Sequence, residues 1–316
     1  MPQHFADRLL RAIEEKKSPT CVGIDPDYGR LPADIASQPG LNDASRVDSA
    51  LDAVLEFCRR IIHIVSPYVP AVKINSAFFE RFYGEGVDGY YELVQEAAAQ
   101  GLVVIGDCKR GDIGHSSAMY ARAHLGDSEF SDRGDLVVPD AITVNPYFGW
   151  DGLKPFAEIA RDEEKGIFIL VQTSNPSAEQ VQGLTLEGGM RVGERIGVMV
   201  NEWAGAPEFM GTRGYSCLGA VVSPRDTEST MKMRALMPNC IFLVPGFGAQ
   251  GQSAEAVSHC FKADGTGALI TASRSVIYAY EETKYLELYA SEWEKCVEQA
   301  CKDLVSAVGT PKAVPV

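Results

Sequence analysis

At 316 residues, with 46% hydrophobic and 23% charged side chains, the chain has the balance of an ordinary globular protein with ample core. A formal net charge of -14 argues against nucleic acid as a partner, because a binder of the phosphate backbone is expected to be basic. An anionic small ligand stays possible if a local cationic pocket receives it.

From the N-terminus, Phe5, Leu9, Leu10 and Ile13 recur at helical spacing, which predicts an amphipathic helix over 4–17 rather than a signal peptide. Short apolar runs then follow at 20–24, 71–74, 102–106, 141–144, 166–171, 218–222, 241–244 and 268–270. Stretches between them, such as 47–65, 90–100, 192–203 and 254–261, carry helical periodicity. Uniformly apolar strands alternating with helices indicate a parallel sheet covered on both faces. Eight such units fit an α/β fold of the (β/α)8 TIM barrel type, whose usual ~250 residues leave room for extra terminal helices. A doubly wound open sheet is the competing architecture. The expectation is one barrel domain over 1–316, with its core at about 18–280 and a C-terminal helix at about 281–308. No apolar run approaches the ~20 residues that span a bilayer. The eight cysteines form no C-x-x-C pair and read as thiols in a reducing compartment. The five histidines show no metal-ligand spacing. A cytoplasmic protein without membrane or metal is expected.

Where the polar residues fall favours the barrel. Each apolar run is followed by a distinctive cluster, among them Asp25-Pro26-Asp27, Lys73-Ile74-Asn75, Thr173-Ser174-Asn175 and Ser273-Arg274-Ser275. The strand starts show nothing comparable, and function gathered at C-terminal strand ends is what a barrel active site looks like. Gly246-Phe247-Gly248-Ala249-Gln250-Gly251 matches G-x-G-x-x-G, but only about 65 residues follow it, too few for a dinucleotide fold's second half. After a seventh strand, the same glycines suit a phosphate held by backbone N–H groups, with Arg274 after the eighth strand adding a cation. A plain glycine turn and a surface arginine would look the same one loop at a time.

The densest motif is Asp107-Cys108-Lys109-Arg110-Gly111-Asp112-Ile113-Gly114, where the third strand runs out into a loop. Alternation along a strand puts Asp107 and Lys109 on one face and Cys108 on the other. Asp112 follows three residues later, past the strand end. Two carboxylates and an ammonium at the mouth of an apolar strand are costly unless they are used. By itself the motif reads equally as a salt-bridged strand end with a helix-capping aspartate.

Together with Asp25, Lys73 and Pro245-Gly246-x-Gly248, this motif resembles the orotidine 5'-phosphate decarboxylase family. The likeness is closest to its longer bacterial form, through Lys73-Ile74-Asn75-x-Ala77-Phe78-Phe79-Glu80 and Gln172-Thr173-Ser174-Asn175-Pro176-Ser177. The resemblance covers all eight strand ends and implies cofactor-free decarboxylation of orotidine 5'-phosphate to UMP in pyrimidine biosynthesis. It implies Lys109 as the acid that protonates C6, Asp107 and Asp112 beside the scissile carboxylate, and Lys73 completing the charged array. Asp112 would reach into the partner's site of a homodimer. Asp25 and Lys73 would hold the ribose hydroxyls, Ser174 and Thr173 the pyrimidine edge, and Pro245 the base pocket. Gln250 and Arg274 would hold the phosphate, and Ser273 and Ser116 complete the expected substrate contacts. Ser275 departs from the glycine that relatives often carry after this arginine, and closure could fall partly to 175–189. Two rivals stand beside this reading. Magnesium-dependent sugar-phosphate decarboxylases and aldol-type synthases share the Asp-x-Lys-x-x-Asp strand but end strand two on an acid, where this chain has Lys73. A non-catalytic binder of a phosphate ligand would have no use for two carboxylates beside an anion.

Overall fold

The computed structural model describes residues 4–37, 46–126, 136–248 and 254–309. Helix α1 (Phe5–Lys16) leads into β1 (Thr20–Ile24), α2 (Ala33–Ala36), α3 (Val47–Val65) and β2 (Ala71–Ile74). Next come α4 (Ala77–Glu80), α5 (Tyr83–Ala99), β3 (Val103–Arg110), α6 (Gly114–Leu125) and β4 (Ala141–Val144). The middle of the chain holds α7 (Trp150–Asp162), β5 (Gly166–Gln172), α8 (Val192–Ala204), β6 (Leu218–Val222) and α9 (Thr227–Leu236). The chain continues through β7 (Phe242–Val244), α10 (Ala254–Ser258), β8 (Ala268–Ala272), α11 (Arg274–Ile277), α12 (Thr283–Tyr289) and α13 (Trp293–Val308). All strands are parallel and pair in sequence order, and β8 closes on β1 through Thr20↔Ile270. The closed barrel replaces the open-sheet alternative. No helix among the described residues is long and apolar enough to cross a membrane.

The barrel interior is layered because strand side chains alternate with period two. Phe168 of β5 is fully buried and meets Phe5 of α1 edge-on, ring centroids 5.9 Å apart. Gly166, at the start of β5, has to be glycine, since a Cβ there would run into the Phe5 ring. Helix α1 therefore plugs the N-terminal end of the barrel. His4 starts this helix by accepting the Ala6 N–H, and Lys17 ends it in the left-handed region at φ 53°. At the other end of the chain, α13 docks on α3 through Phe57, Tyr278, Tyr280 and Trp293, a cluster of ring contacts 5.6–6.4 Å apart. All eight cysteines are free and buried.

Several boundaries differ from the sequence reading, three of them with a clear physical reason. Strand β3 does not stop at Gly106 but continues to Arg110, because Arg110 still pairs with Val144 of β4 after a register shift. Four residues of β3 therefore oppose two of β4, and the surplus is taken up by a bulge in which Lys109 has φ 45°. Helix α5 starts at Tyr83 rather than at residue 90; the glycines that hide its first turns allow close packing, since a Cβ on Gly86 would strike the Phe79 carbonyl. The C-terminal helix is two helices, broken where Ala290 adopts φ 50°.

Phe168 anchors the deepest layer, so Phe168→Ala should destabilise the protein by about 3–5 kcal/mol, the usual cost of truncating a fully buried aromatic. A urea titration should show a lower midpoint at unchanged slope; an unmoved midpoint would show that α1 does not close the barrel.

Candidate active site

The C-terminal ends of the strands enclose a cavity of about 150 Å3. Its floor is apolar, made by Leu170, Val221 and Leu243, one layer above Phe168. Thr173, Ser174 and Pro245 form part of its rim, and Lys73, Asp107 and Lys109 form a charged wall. Drug-sized ligand pockets run ~300–1,000 Å3, so the enclosed part suits one planar ring, with the rest of a larger ligand over the surrounding loops.

One carboxylate organises the wall. Asp107 Oδ2 accepts from Lys73 Nζ at 2.6 Å, and Asp107 Oδ1 accepts from Lys109 Nζ at 2.6 Å. The Thr143 hydroxyl donates to Asp107 Oδ1 at 2.9 Å and accepts the Lys109 backbone N–H at 2.9 Å. Thr143 thereby fixes the acid and the start of the lysine at once. It escaped the sequence reading because it sits inside the apolar run Ala141–Val144; as the one polar residue of that strand, its inward parity was the available signal. Burial would raise the Asp107 pKa, but Lys73 and Lys109 outweigh it and hold the carboxyl well below its ordinary 3.8. Burial pulls the Lys73 ammonium the other way, yet Asp107 and Asp25 more than reverse it, so its pKa lies above the ordinary 10.5. The side chains of Lys73 and Asp107 are each 9% exposed, whereas that of Lys109 is 50% exposed. Lys109 is thus the cation with room to meet a ligand.

The remaining expected residues divide into those that join this wall and those that do not. Asp25 joins it: Oδ1 lies 3.8 Å from Lys73 Nζ, buried and without a hydrogen bond. Asp112 makes no ion pair among the described residues; its Oδ1 accepts the Ile113 N–H at 2.8 Å. Its backbone is wedged onto α7, since a Cβ on Gly152 would come within 2.8 Å of the Asp112 carbonyl oxygen. Ser116 is exposed on α6 and does not line the cavity. Ser273, at the end of β8, packs its hydroxyl where a Cβ on Gly23 of β1 would lie. Arg274 is exposed and makes no ion pair among the described residues. The loops after β7 and β8 touch: the Phe247 N–H donates to the Thr271 carbonyl at 3.4 Å, and a Cβ on Gly248 would stand 3.1 Å from Ser275 Oγ. Gln250 lies outside the described residues.

A closed parallel barrel with a buried Lys–Asp pair and a half-exposed second lysine at its C-terminal mouth defines a class of enzyme, one that handles an anionic small substrate. The chain belongs to the orotidine 5'-phosphate decarboxylase / HUMPS family, whose model matches residues 19–289. It is 38% identical over 297 residues to the orotidine 5'-phosphate decarboxylase of Rhodopirellula baltica, covering 94% of this chain and 96% of the relative. The enzyme of the same name from Caldicellulosiruptor saccharolyticus is 35% identical over 306 residues, covering 96% and 98%. Among solved structures, a putative orotidine 5'-phosphate decarboxylase from Streptomyces avermitilis superposes with a TM-score of 0.73 at 30% identity, covering 97% of this chain and 95% of that one. Family and shared name make the chain a carboxy-lyase that converts orotidine 5'-phosphate to UMP.

The buried pair has a pH signature. Asp107, with its pKa lowered, adds stability that is complete above 3.8 and fades as pH falls below it. Lys73, with its pKa raised, adds stability that is complete below 10.5 and fades as pH rises above it. Asp107→Asn strands Lys73 in a buried site and should cost about 3–5 kcal/mol at neutral pH. Urea midpoints measured across pH should show that deficit shrinking toward either limit. A deficit independent of pH would mean that the pair does not carry the stability.

Proposed function

We propose that Lys109 is the general acid of the decarboxylation, acting from a site shared between two subunits of a homodimer. The observation that carries this reading is the half-exposed Lys109 ammonium, held 2.6 Å from a buried carboxylate and lining the cavity at the charged wall. The bond from C6 of the pyrimidine to its carboxylate breaks, carbon dioxide leaves, and the electron pair stays on C6 with no neighbouring carbonyl to accept it. A fixed ammonium stabilises that carbanion as it forms and then gives it a proton. The neutral amine regains its proton from solvent, so no cofactor enters the balance. Asp107 beside the substrate carboxylate opposes the bound ground state more than the product, since carbon dioxide is neutral. Lys73 holds Asp107 ionised.

The other roles are those that the family resemblance implies, and the geometry supports several of them. Asp25 Oδ1, ion-paired with Lys73 but without a hydrogen bond, is the proposed acceptor for a ribose hydroxyl. Thr173, Ser174 and Pro245 frame the ring. The touching loops after β7 and β8 supply the left-handed Gly246 (φ 93°) and Gly248 (φ 76°), and Arg274 brings the cation; phosphate would sit there, with Gln250 and Ser273. Binding energy from that remote dianion can be spent on closure and orientation at C6.

Dimerisation is supported by what surrounds Asp112. Ile113, Tyr147 and Phe148 present apolar surface beside it, Tyr147 at 83% exposure. Asp112 makes no ion pair among the described residues, which supports a role for its carboxylate in a neighbour's site, and Ser116 on the next helix would cross with it. A cytoplasmic setting fits eight unoxidised thiols. A magnesium-dependent rival is disfavoured because the Lys73 ammonium already occupies the place beside Asp107 where such a barrel would put a metal ion.

Following the loss of orotidine 5'-phosphate absorbance, Lys109→Ala should lower turnover by at least ~10²–10⁴-fold, the contribution of a positioned general acid. Near-normal turnover would end this assignment. Lys109→Ala and Asp112→Ala should each be nearly inactive alone. When their subunits exchange, each mixed dimer should regain about one of its two sites, because one site collects both lesions and the other neither. Demonstrated exchange without recovery would place Asp112 in its own subunit's site.

A further inference from the structure

Lys109 reaches Asp107 from a backbone conformation that non-glycine residues avoid. Its φ of 45° lies in the left-handed region, inside the bulge where four residues of β3 face two of β4. Such strain persists only where the surroundings over-determine it. On the cavity side, the hydroxyl of Thr143 holds the Lys109 N–H. On the outer side, the next residue does the holding.

Alternation turns Arg110 away from the cavity, into the crevice between α4 and α6. There its guanidinium uses all three nitrogens. Nη2 donates to Glu80, the last residue of α4, in a short charged hydrogen bond. Nε donates to His124 Nε2 on α6 at 3.1 Å, and Nη1 turns back to the Cys108 carbonyl at 3.3 Å, on the bulge itself. The Tyr120 ring lies 5.7 Å from the cation. Burial, then Arg110, lowers the His124 pKa to about 4, so the ring stays neutral and can accept at Nε2. Arg110 also closes the strand: its carbonyl accepts the Asn145 N–H at 2.8 Å. One side chain thus ties the end of β3 to the helix that follows β2 and to the helix that follows β3, while bracing the peptide just before Lys109.

We propose that Arg110 is a positioning residue for the decarboxylation: clamped by Glu80 and His124 outside the barrel, it holds the left-handed bulge that aims the Lys109 ammonium at Asp107 and the cavity. This rests on the assignment of Lys109 as the acid. Arg110 does not line the cavity at the charged wall, so its effect on the reaction runs through Lys109. The arginine borders a cavity of about 230 Å3, so truncating it removes contacts without crowding the core.

The test is a double-mutant cycle on turnover, counted per UMP-binding site by calorimetry so that misfolded protein is discounted. Arg110→Ala should lower kcat by about 10²-fold, as expected for an ångström-scale misplacement of a reacting group, with the UMP Kd within about twofold of wild type. Arg110→Lys should recover about tenfold of that loss, since lysine can reach Glu80 but lacks the fork for His124 and the Cys108 carbonyl. In the Lys109→Ala background, adding Arg110→Ala should cost nothing more, because the residue it positions is gone. A merely structural role predicts equal fold-losses in both backgrounds, and that result would overturn the proposal. So would turnover of Arg110→Ala within about twofold of wild type. If Arg110→Ala binds no UMP, Arg110→Lys and Glu80→Gln, which keep the volume, run the same cycle with the same criterion. If Lys109→Ala itself retains turnover, the acid assignment fails and takes this inference with it; if Lys109→Ala is inactive while Arg110→Ala is not, this inference alone falls.

Discussion

A single desolvated carboxylate, Asp107, held between two ammonium groups, sets the terms for everything around it. Lys73 could not be carried into this mouth alone: it is almost wholly buried, and a buried ammonium without a counter-charge loses its proton or unfolds its site. The array forms only when β2, β3 and β4 stand in one register, with Lys73, Asp107 and Thr143 brought to the same end. The barrel fixes that register by closing on itself. The charged layer is accordingly a consequence of closure, and closure depends on the apolar layers beneath it, from Leu170, Val221 and Leu243 down to Phe168 against Phe5.

In the mechanism proposed above, the same charges that hold the mouth together do the chemistry. A carbanion at C6 has no resonance outlet, so its stabilisation has to come from a preorganised cation that costs nothing to reorient at the moment of reaction. Lys109 meets that requirement because its starting point is pinned twice, by Thr143 at its backbone N–H and by Asp107 at its ammonium. The bulge that places it has a left-handed Lys109, and in the inference drawn above the outer bracket of Glu80, Arg110 and His124 is what holds it. Catalytic geometry at the inner face and packing at the outer face are two sides of one strand.

Much of this was legible in the residues. Eight apolar runs with polar clusters after them gave the barrel, since strand and helix periodicities are local properties of the chain. The D-x-K pattern placed Asp107 and Lys109 on one face, and the family resemblance added Lys73 to their array. Local pattern failed where the backbone departs from the regular strand or helix: at the β3 bulge, at the glycine-rich start of α5, and at Ala290, where a left-handed residue splits the last helix.

The sequence by itself determined where the ionisable residues gather, because such side chains at apolar strand ends are costly in any fold and identify themselves by that cost, while the family resemblance supplied the chemistry. Tertiary structure alone decided which of them meet. Thr143 was invisible inside a strand of apolar residues until the β3–β4 register set its hydroxyl between Asp107 and Lys109. Asp112, adjacent in the motif, turned out to be separate in space, capping its own loop. Arg110 read as one more charge in a charged run until α4 and α6 closed around it. Distances between strands depend on register and on the bulge, and those are set by the packing of the whole barrel rather than by any window of sequence.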